Sequence, residues 1–331
     1  MIWTSAEEMR IFIAPLEGIT FCEYRRLHNR MFPGADAYFT PFIAPDTKGN
    51  FREKYLRELL PDNNEGVKLI PQLLVNAPEP FLLTAEKLRD LGYNEVDLNI
   101  GCPSGTVFAK HKGAGMLTDL KELNSFLGRI FSKTDIAISI KTRMGVSDTA
   151  EFAKIAGIYA KYPLKELIIH ARSRDGFYDS APDLDGFAAA FGRFPFPVCY
   201  NGNIFSKKDL DILRERVPGI ENVMVGRGVI ADPALIRTLR GGENLRAEEL
   251  RQFHDALLDA LLGKGLAPEH ALSHMKELWY YMIHKFTDAG VLYKRLNKTT
   301  RLNLYRSAVS ELFSSGKFDP DRCFSGGKYQ G

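Results

Sequence analysis

Short runs rich in β-branched and aromatic residues alternate with longer amphipathic stretches over roughly the first 230 residues. The strand-like runs fall at 11–14, 35–39, 67–74, 95–99, 136–141, 166–170, 197–200 and 223–226. Helix-length segments separate most of them, among them 80–91, 120–132, 149–160, 183–191 and 207–216. Eight strand–helix repeats in series predict an α/β chain folded as a (β/α)8 TIM barrel rather than an open doubly wound sheet. A dinucleotide-binding Rossmann unit wants Gly-x-Gly-x-x-Gly after its first strand; here that position reads Ala14-Pro15-Leu16-Glu17-Gly18.

The pattern changes after residues 234–240. Arg240-Gly241-Gly242-Glu243-Asn244 has linker composition, and no strand pattern follows as far as Phe313. Apolar positions recurring at one-turn spacing predict helices at 247–263, 270–289, 291–294 and 301–313. The chain therefore divides into a barrel over 1–240, a small C-terminal helical bundle over 245–315, and a tail over 316–331. The tail is rich in glycine and charge and is expected to be flexible.

Composition narrows the class. The 331 residues are 45% hydrophobic and 26% charged, values of an ordinary globular protein able to bury a core without staples. Cys22, Cys102, Cys199 and Cys323 show neither CxxC nor CxxH spacing, so neither a metal site nor a disulfide framework is expected. No apolar run has the length of a membrane span. The first residues carry acids early and lack the basic-then-apolar order of a signal peptide, so a cytoplasmic protein is expected. The formal charge of +3 identifies no partner. Its distribution is more informative: between residues 285 and 306 six basic residues stand against Asp288 alone, and Lys294, Arg295 and Lys298 cluster within it. Such a stretch suits a phosphate-binding face and equally a solvated helix surface.

In a barrel of this kind the working residues sit where strands run into the following loops. Reading each strand's C-terminal end gives Pro15, Thr40, Gln72, Asn99, Lys141, His170, Asn201-Gly202-Asn203 and Gly226-Arg227. So many polar ends converging on one rim surround a cavity, and their chemistry suits the flavin FMN. Lys141 is the cation for the N1/O2 edge, where negative charge builds on reduction, while Gln72 and Asn99 pair with the amide-like edge. Gly202 and Gly226-Arg227-Gly228 follow the seventh and eighth strands, the common barrel phosphate site. Cys102 lies in Asn99-Ile100-Gly101-Cys102-Pro103, with Gly113-Ala114-Gly115 downstream. A thiol is mostly protonated at neutral pH, so in a loop folded over a bound ring Cys102 is a candidate general acid.

Taken together these segments resemble the dihydrouridine synthase family. The matching motifs are Ala14-Pro15-Leu16-Glu17-Gly18-Ile19-Thr20, Asp97-Leu98-Asn99-Ile100-Gly101-Cys102-Pro103 and Gly113-Ala114-Gly115-Met116-Leu117. Lys141-Thr142-Arg143-Met144-Gly145, His170-Ala171-Arg172, Asn201-Gly202-Asn203-Ile204 and Met224-Val225-Gly226-Arg227-Gly228 complete the set. The resemblance implies an FMN barrel with a helical domain that grips tRNA, and reduction of the uridine C5–C6 double bond with electrons from NADPH. It implies FMN contacts at Pro15, Gln72, Lys141, His170, Asn201, Asn203, Gly226 and Arg227. Asn99, Arg143 and Arg172 would border the ring and the inserted uracil, with Asn99 and Arg172 as donors to its oxygens. Lys294, Arg295 and Lys298 would face RNA, and Cys102 would protonate C5. Two positions depart from the family. Gly105 stands where a lysine is common three residues after the catalytic cysteine, with Lys110 and Lys112 nearby, and Asn203 stands where an acid is usual.

Two rivals keep parts of this pattern. An FMN barrel oxidoreductase acting on a free ene or pyrimidine substrate shares the lysine, asparagine and phosphate-loop logic without needing a basic helical domain. An RNA-binding module without chemistry would not need Cys102, Lys141 and His170 together.

Overall fold

The computed structural model describes residues 9–326 and 329. The N-terminal octapeptide considered above as a leader lies outside the described residues, as do 327, 328, 330 and 331 of the expected tail. Nine strand segments form one parallel sheet: β1 (Arg10–Ile13), β2 (Ala37–Phe39), β3 (Leu69–Ile70), β4 (Gln72–Leu73) and β5 (Glu95–Ile100), then β6 (Ala137–Gly145), β7 (Glu166–Ser173), β8 (Val198–Asn201) and β9 (Asn222–Val225). Their order across the sheet is β3-β2-β1-β9-β8-β7-β6-β5-β4. β3 and β4 are halves of one extended segment interrupted at Pro71, whose ring removes a donor. The Pro71 carbonyl still accepts from the Asp97 amide at 2.8 Å. Because β3 pairs with β2 and β4 with β5, this single segment closes the sheet on itself. The result is the eight-stranded TIM barrel that the alternating pattern predicts.

Helices pack outside the barrel, including Cys22–Met31, Pro78–Asp90, Leu120–Phe131 and Lys207–Arg216. The helix expected over 149–160 starts as a tighter turn at Thr149–Glu151, where Asp148 and Glu151 cap one another's backbone, and continues as Phe152–Tyr159. Strand periodicity then sorts the side chains. Ile168 and Cys199 join Phe12, Phe39 and Met224 in a small cluster separate from the larger strand–helix core. His170 and Asn201 lie two residues further along the same strands, hence on the same inner face at its C-terminal end. Among the described residues no helix is long and apolar enough to cross a membrane.

The C-terminal part is built from helices Ala247–Gly263, Pro268–Met282, Gly290–Lys298 and Leu302–Ser315. Its centre is a polar triad inside apolar packing: the Trp279 indole donates to the Tyr305 hydroxyl at 2.9 Å, which lies 2.8 Å from His254 Nε2. Phe253 from the same domain fits into the barrel's side, 5.6 Å from the Tyr24 and Phe32 rings and 6.3 Å from His28.

The structure corrects one expectation in this region. The helix expected over 270–289 stops at Met282, and Phe286–Thr287 forms a strand, β10, although no strand pattern was found between 247 and 313. β10 pairs antiparallel with β11 (Lys317–Phe318), after which Asp288 turns the chain with φ +55°. Two residues are too few to show a period, and their partner lies thirty residues away. Within the segment expected as a flexible tail, some described residues make contacts with the rest of the chain. Asp319 N donates to the Lys285 carbonyl at 2.8 Å, Lys285 Nζ donates to the Pro320 carbonyl at 2.8 Å, and Phe324 is 3% exposed.

Replacing Phe253 with Ala empties the socket formed by Tyr24, His28 and Phe32 and should cost about 3–5 kcal/mol, read as a lowered denaturant midpoint. A loss below about 1 kcal/mol would mean that barrel and helical domain hold together without this contact.

Candidate active site

The C-terminal ends of the barrel strands enclose a cleft lined by Pro15, Gln72, Asn99, Cys102, Lys141, Arg143 and His170. An adjoining pocket shares Pro15, Lys141 and His170 and adds Asn201, Asn203, Gly226 and Arg227. The sequence-predicted strand-end residues therefore meet in one continuous depression, except Thr40, which is fully buried and accepts from the Gln72 amide at 2.9 Å. Arg172 does not line it but lies directly behind, 1% exposed, in contact with His170 and Asn203.

Cys102 is held by a chain of buried side chains. The Asn99 Oδ1 accepts from the backbone amides of Gly101 at 3.1 Å and Cys102 at 2.9 Å. Asn99 Nδ2 donates to Gln72 Oε1 at 2.7 Å, and Gln72 Nε2 donates to Asp97 Oδ2 at 2.7 Å. On the other side the Ala114 amide donates to the Cys102 carbonyl at 3.1 Å. Gly113 sits at φ +57°, where a Cβ would come within 2.9 Å of the Cys102 Cβ. Only glycine gives that approach. Asn99 thus uses its oxygen and one amide hydrogen to fix the cysteine loop, which leaves less of it for a substrate than the sequence suggests. Burial pushes the half-buried Cys102 thiol up, outweighing a backbone hydrogen bond and the pull of Arg143 and Lys141. The neutral thiol is therefore its form at pH 7.

Positive charge dominates the rest of the cleft. Arg143, 1% exposed, extends its guanidinium to three carbonyls: Gly101 at 3.1 Å, Ser173 at 2.7 Å and Phe177 at 3.0 Å. Arg172 donates to the Ser180 carbonyl at 2.8 Å, to His170 Nε2 at 2.8 Å and to Asn203 Oδ1 at 3.1 Å. A guanidinium can only donate, so His170 Nε2 accepts and the neutral ring carries its proton on Nδ1. Burial, then the surrounding cations Lys141, Arg143, Arg172 and Arg227, drives His170 well below its ordinary range. Lys141 has no hydrogen-bond or ion-pair partner among the described residues. Burial, then Arg143, lowers it to about 8, against the opposing pull of Asp97. Asp97 in turn is pushed up to about 7 by burial, and its Oδ1 is buried without a partner.

At the far end Arg227 donates to Asn203 Oδ1 at 2.9 Å, so one neutral amide oxygen receives two guanidinium groups. Asn201 Nδ2 donates to the Met224 carbonyl at 2.8 Å. Gly202 admits no side chain, because a Cβ there would lie 2.1 Å from the Tyr200 hydroxyl. Tyr178 escaped the sequence reading: it lines both halves of the cleft and presents its ring 4.4 Å from the Arg227 guanidinium. Its only signal was an aromatic pair, Phe177-Tyr178, inside the polar loop that follows β7. Lys294, Arg295 and Lys298 lie elsewhere, on the exposed face of helix Gly290–Lys298, where Arg295 pairs with Glu311. Gly105, at the start of the short helix Gly105–Phe108, is exposed, as is Lys110; burial lowers Lys112.

Comparison with known proteins gives consistent matches. A family model described as dihydrouridine synthase matches residues 12–311. A tRNA-dihydrouridine(16) synthase of Ralstonia nicotianae is 31% identical over 310 residues, covering 87% of this chain and 91% of its own. A tRNA-dihydrouridine(16) synthase of Cupriavidus necator is 29% identical over 238 residues, covering 70% and 74%. A tRNA-dihydrouridine synthase B of Pseudomonas aeruginosa is 26% identical over 258 residues, covering 76% of each chain.

The thiol's raised pKa sets a direct check. Alkylation of Cys102, followed by peptide mass, should be slow at pH 7 and climb only above the range of an ordinary thiol, ~8.5. A thiolate already formed at pH 7 would be inconsistent with a proton donor.

Proposed function

We propose, from the premise that the chain belongs to the dihydrouridine synthase family, that it is a flavin enzyme reducing the C5–C6 double bond of specific uridines in tRNA to 5,6-dihydrouridine. In this reading FMN is the bound cofactor, NADPH the reductant and Cys102 the proton donor. The observation that carries it is the juxtaposition of a rigidly held neutral thiol, Cys102, with an unpartnered lysine, Lys141, in one cleft.

The residues present fit FMN. Lys141 offers a cation with no protein partner for the edge that gains negative charge. His170 Nδ1–H and the second hydrogen of Gln72 Nε2 are donors left over after the contacts described above. Pro15 walls the cleft where its two halves join, and Gly202 and Gly226 line its far half. Arg227, with Asn201 and Asn203 beside it, takes the phosphate end. When bound, FMN supplies the hydride for C6 of the uracil.

The protein's own groups do the rest. A target uridine leaves its stack at a cost of a few kcal/mol and lies between the cofactor site and the cysteine loop. Cys102 transfers the Sγ proton to C5, and the raised thiol pKa keeps that proton available at neutral pH. Arg143 borders the ring and the uracil with Nε and Nη1 engaged by protein carbonyls and Nη2 turned to the cleft, while Arg172 acts from behind it as charge. That charge stabilises the enolate developing on the pyrimidine oxygens. Asn99 acts mainly by holding Cys102 in line. The division into a catalytic barrel over 1–240 and a helical RNA-binding domain over 245–315 belongs to the same reading, with Lys294, Arg295 and Lys298 on its RNA face.

Mass mapping of dihydrouridine in total RNA from cells with and without this protein tests the proposal. Specific tRNA uridines should revert to uridine without it, and Cys102→Ala should restore none of them while still binding FMN and oxidising NADPH. An unchanged dihydrouridine map, with turnover of a free pyrimidine by the purified protein, would favour the small-molecule rival. Charge reversal at Lys294, Arg295 and Lys298 should weaken tRNA binding and flatten its salt dependence; an unchanged salt slope would return those residues to the solvated surface.

A further inference from the structure

Arg227 is held from the C-terminal side of the chain, by residues that neither strand-end logic nor the family match assigns to the site. Its guanidinium lies between three rings: Tyr178 at 4.4 Å, Phe205 at 5.7 Å and Phe324 at 5.6 Å. All are within the ~6 Å at which a cation is attracted to an aromatic face. Tyr178 and Phe205 belong to barrel loops, whereas Phe324 arrives from beyond the last helix. Phe324 is 3% exposed and is clamped in turn by His284 at 4.8 Å, Phe205 at 5.3 Å and Tyr281 at 5.3 Å.

A second attachment reaches the same short helix from its other end. Arg227 opens the helix Arg227–Ala231, and Asp232 follows it directly. Lys285 Nζ pairs with Asp232 Oδ2 at 2.6 Å and donates to the Pro320 carbonyl at 2.8 Å, while Asp319 N donates to the Lys285 carbonyl. The β10–β11 pairing fixes where this segment starts. Residues 317–324 thus form a strap that packs Phe324 on Arg227 at one end of the five-residue helix, while Lys285, bonded to the strap at Pro320, holds Asp232 at the other.

We propose that this C-terminal strap is a positioning element of the cleft, and that Phe324 acts through Arg227 to hold the guanidinium toward the phosphate of a bound flavin nucleotide. The inference rests on the assignment of Arg227 to the phosphate end. Arg227 makes one side-chain hydrogen bond to protein, to Asn203. Without Phe324 one wall of its aromatic cage is gone, and the side chain samples conformers that no longer face the pocket. A flavin without phosphate gains nothing from that alignment.

The test compares FMN with riboflavin, binding each to full-length apoprotein and reading flavin fluorescence. Phe324→Leu keeps the apolar volume but removes the aromatic face; Phe324→Trp keeps an aromatic face; Arg227→Met marks complete loss of the guanidinium. Phe324→Leu should weaken FMN by about tenfold, the effect of losing one desolvated cation–π contact. Riboflavin affinity should change less than about twofold on the same scale, and Phe324→Trp should restore FMN. An FMN affinity in Phe324→Leu equal to wild type overturns the proposal, as does an equal loss for both flavins, which is a packing defect. If wild type itself binds FMN no more tightly than riboflavin, or Arg227→Met leaves the preference intact, the phosphate assignment falls first and the strap's role falls with it.

Discussion

Cationic charge gathered at one desolvated end of the barrel is the constraint that the rest of the site answers. Burial is the main cause that lowers the pKa of Lys141, Arg143, Arg172 and Arg227, and among the described residues no carboxylate forms an ion pair with any of them. An unpaired buried charge is costly unless its hydrogen bonds are satisfied. Arg143 and Arg172 go part of the way through carbonyls, a ring nitrogen and an amide oxygen, neutral acceptors that engage three donor contacts on each while leaving the charge in place. Asn203 does the same for Arg227, and an acid at that position would cancel much of the field. His170 is kept neutral by burial first and then by its cationic neighbours, so it adds a donor without adding charge.

The same economy governs Cys102. The thiol meets no more than the backbone at Ser104, and its own backbone is tied through Asn99, Gln72 and Asp97 down into the barrel interior and through Ala114 to the loop behind. Rigidity therefore comes from neutral hydrogen bonds, whereas the electrostatic character of the cleft comes from groups that do not touch the sulfur. A proton donor beside a cation needs that separation, because a guanidinium in contact with the sulfur would favour thiolate.

Much of this was legible in the sequence, for identifiable reasons. Barrel strands alternate with amphipathic helices, so their number and order could be read from period alone, and a polar residue ending each apolar run marks the rim. The misreadings have separate causes. β6 runs past Lys141 to Gly145 and β7 past His170 to Ser173, because Arg143 and Arg172 are strand residues whose polarity resembles a loop's. Being inside strands fixes Arg143 in the wall of the cleft and Arg172 directly behind it. Asn99 looked like a substrate contact because its residue type fits one; only the fold reveals that its oxygen is committed to Gly101 and Cys102. β10, β11 and Phe324 were missed because each depends on partners far away in sequence, and a lone aromatic among glycines and charges carries no period.

The central claim is that Lys141 supplies positive charge matched to an electron-accepting ring, while other groups provide most of the binding. The midpoint potential of FMN bound to wild type and to Lys141→Met tests this most directly. The account predicts a lower potential in the variant, by about 30 mV for each tenfold of lost preference for the reduced form, with FMN affinity in the oxidised state nearly unchanged. An unchanged potential accompanied by weakened FMN binding would contradict it and make Lys141 a simple anchor.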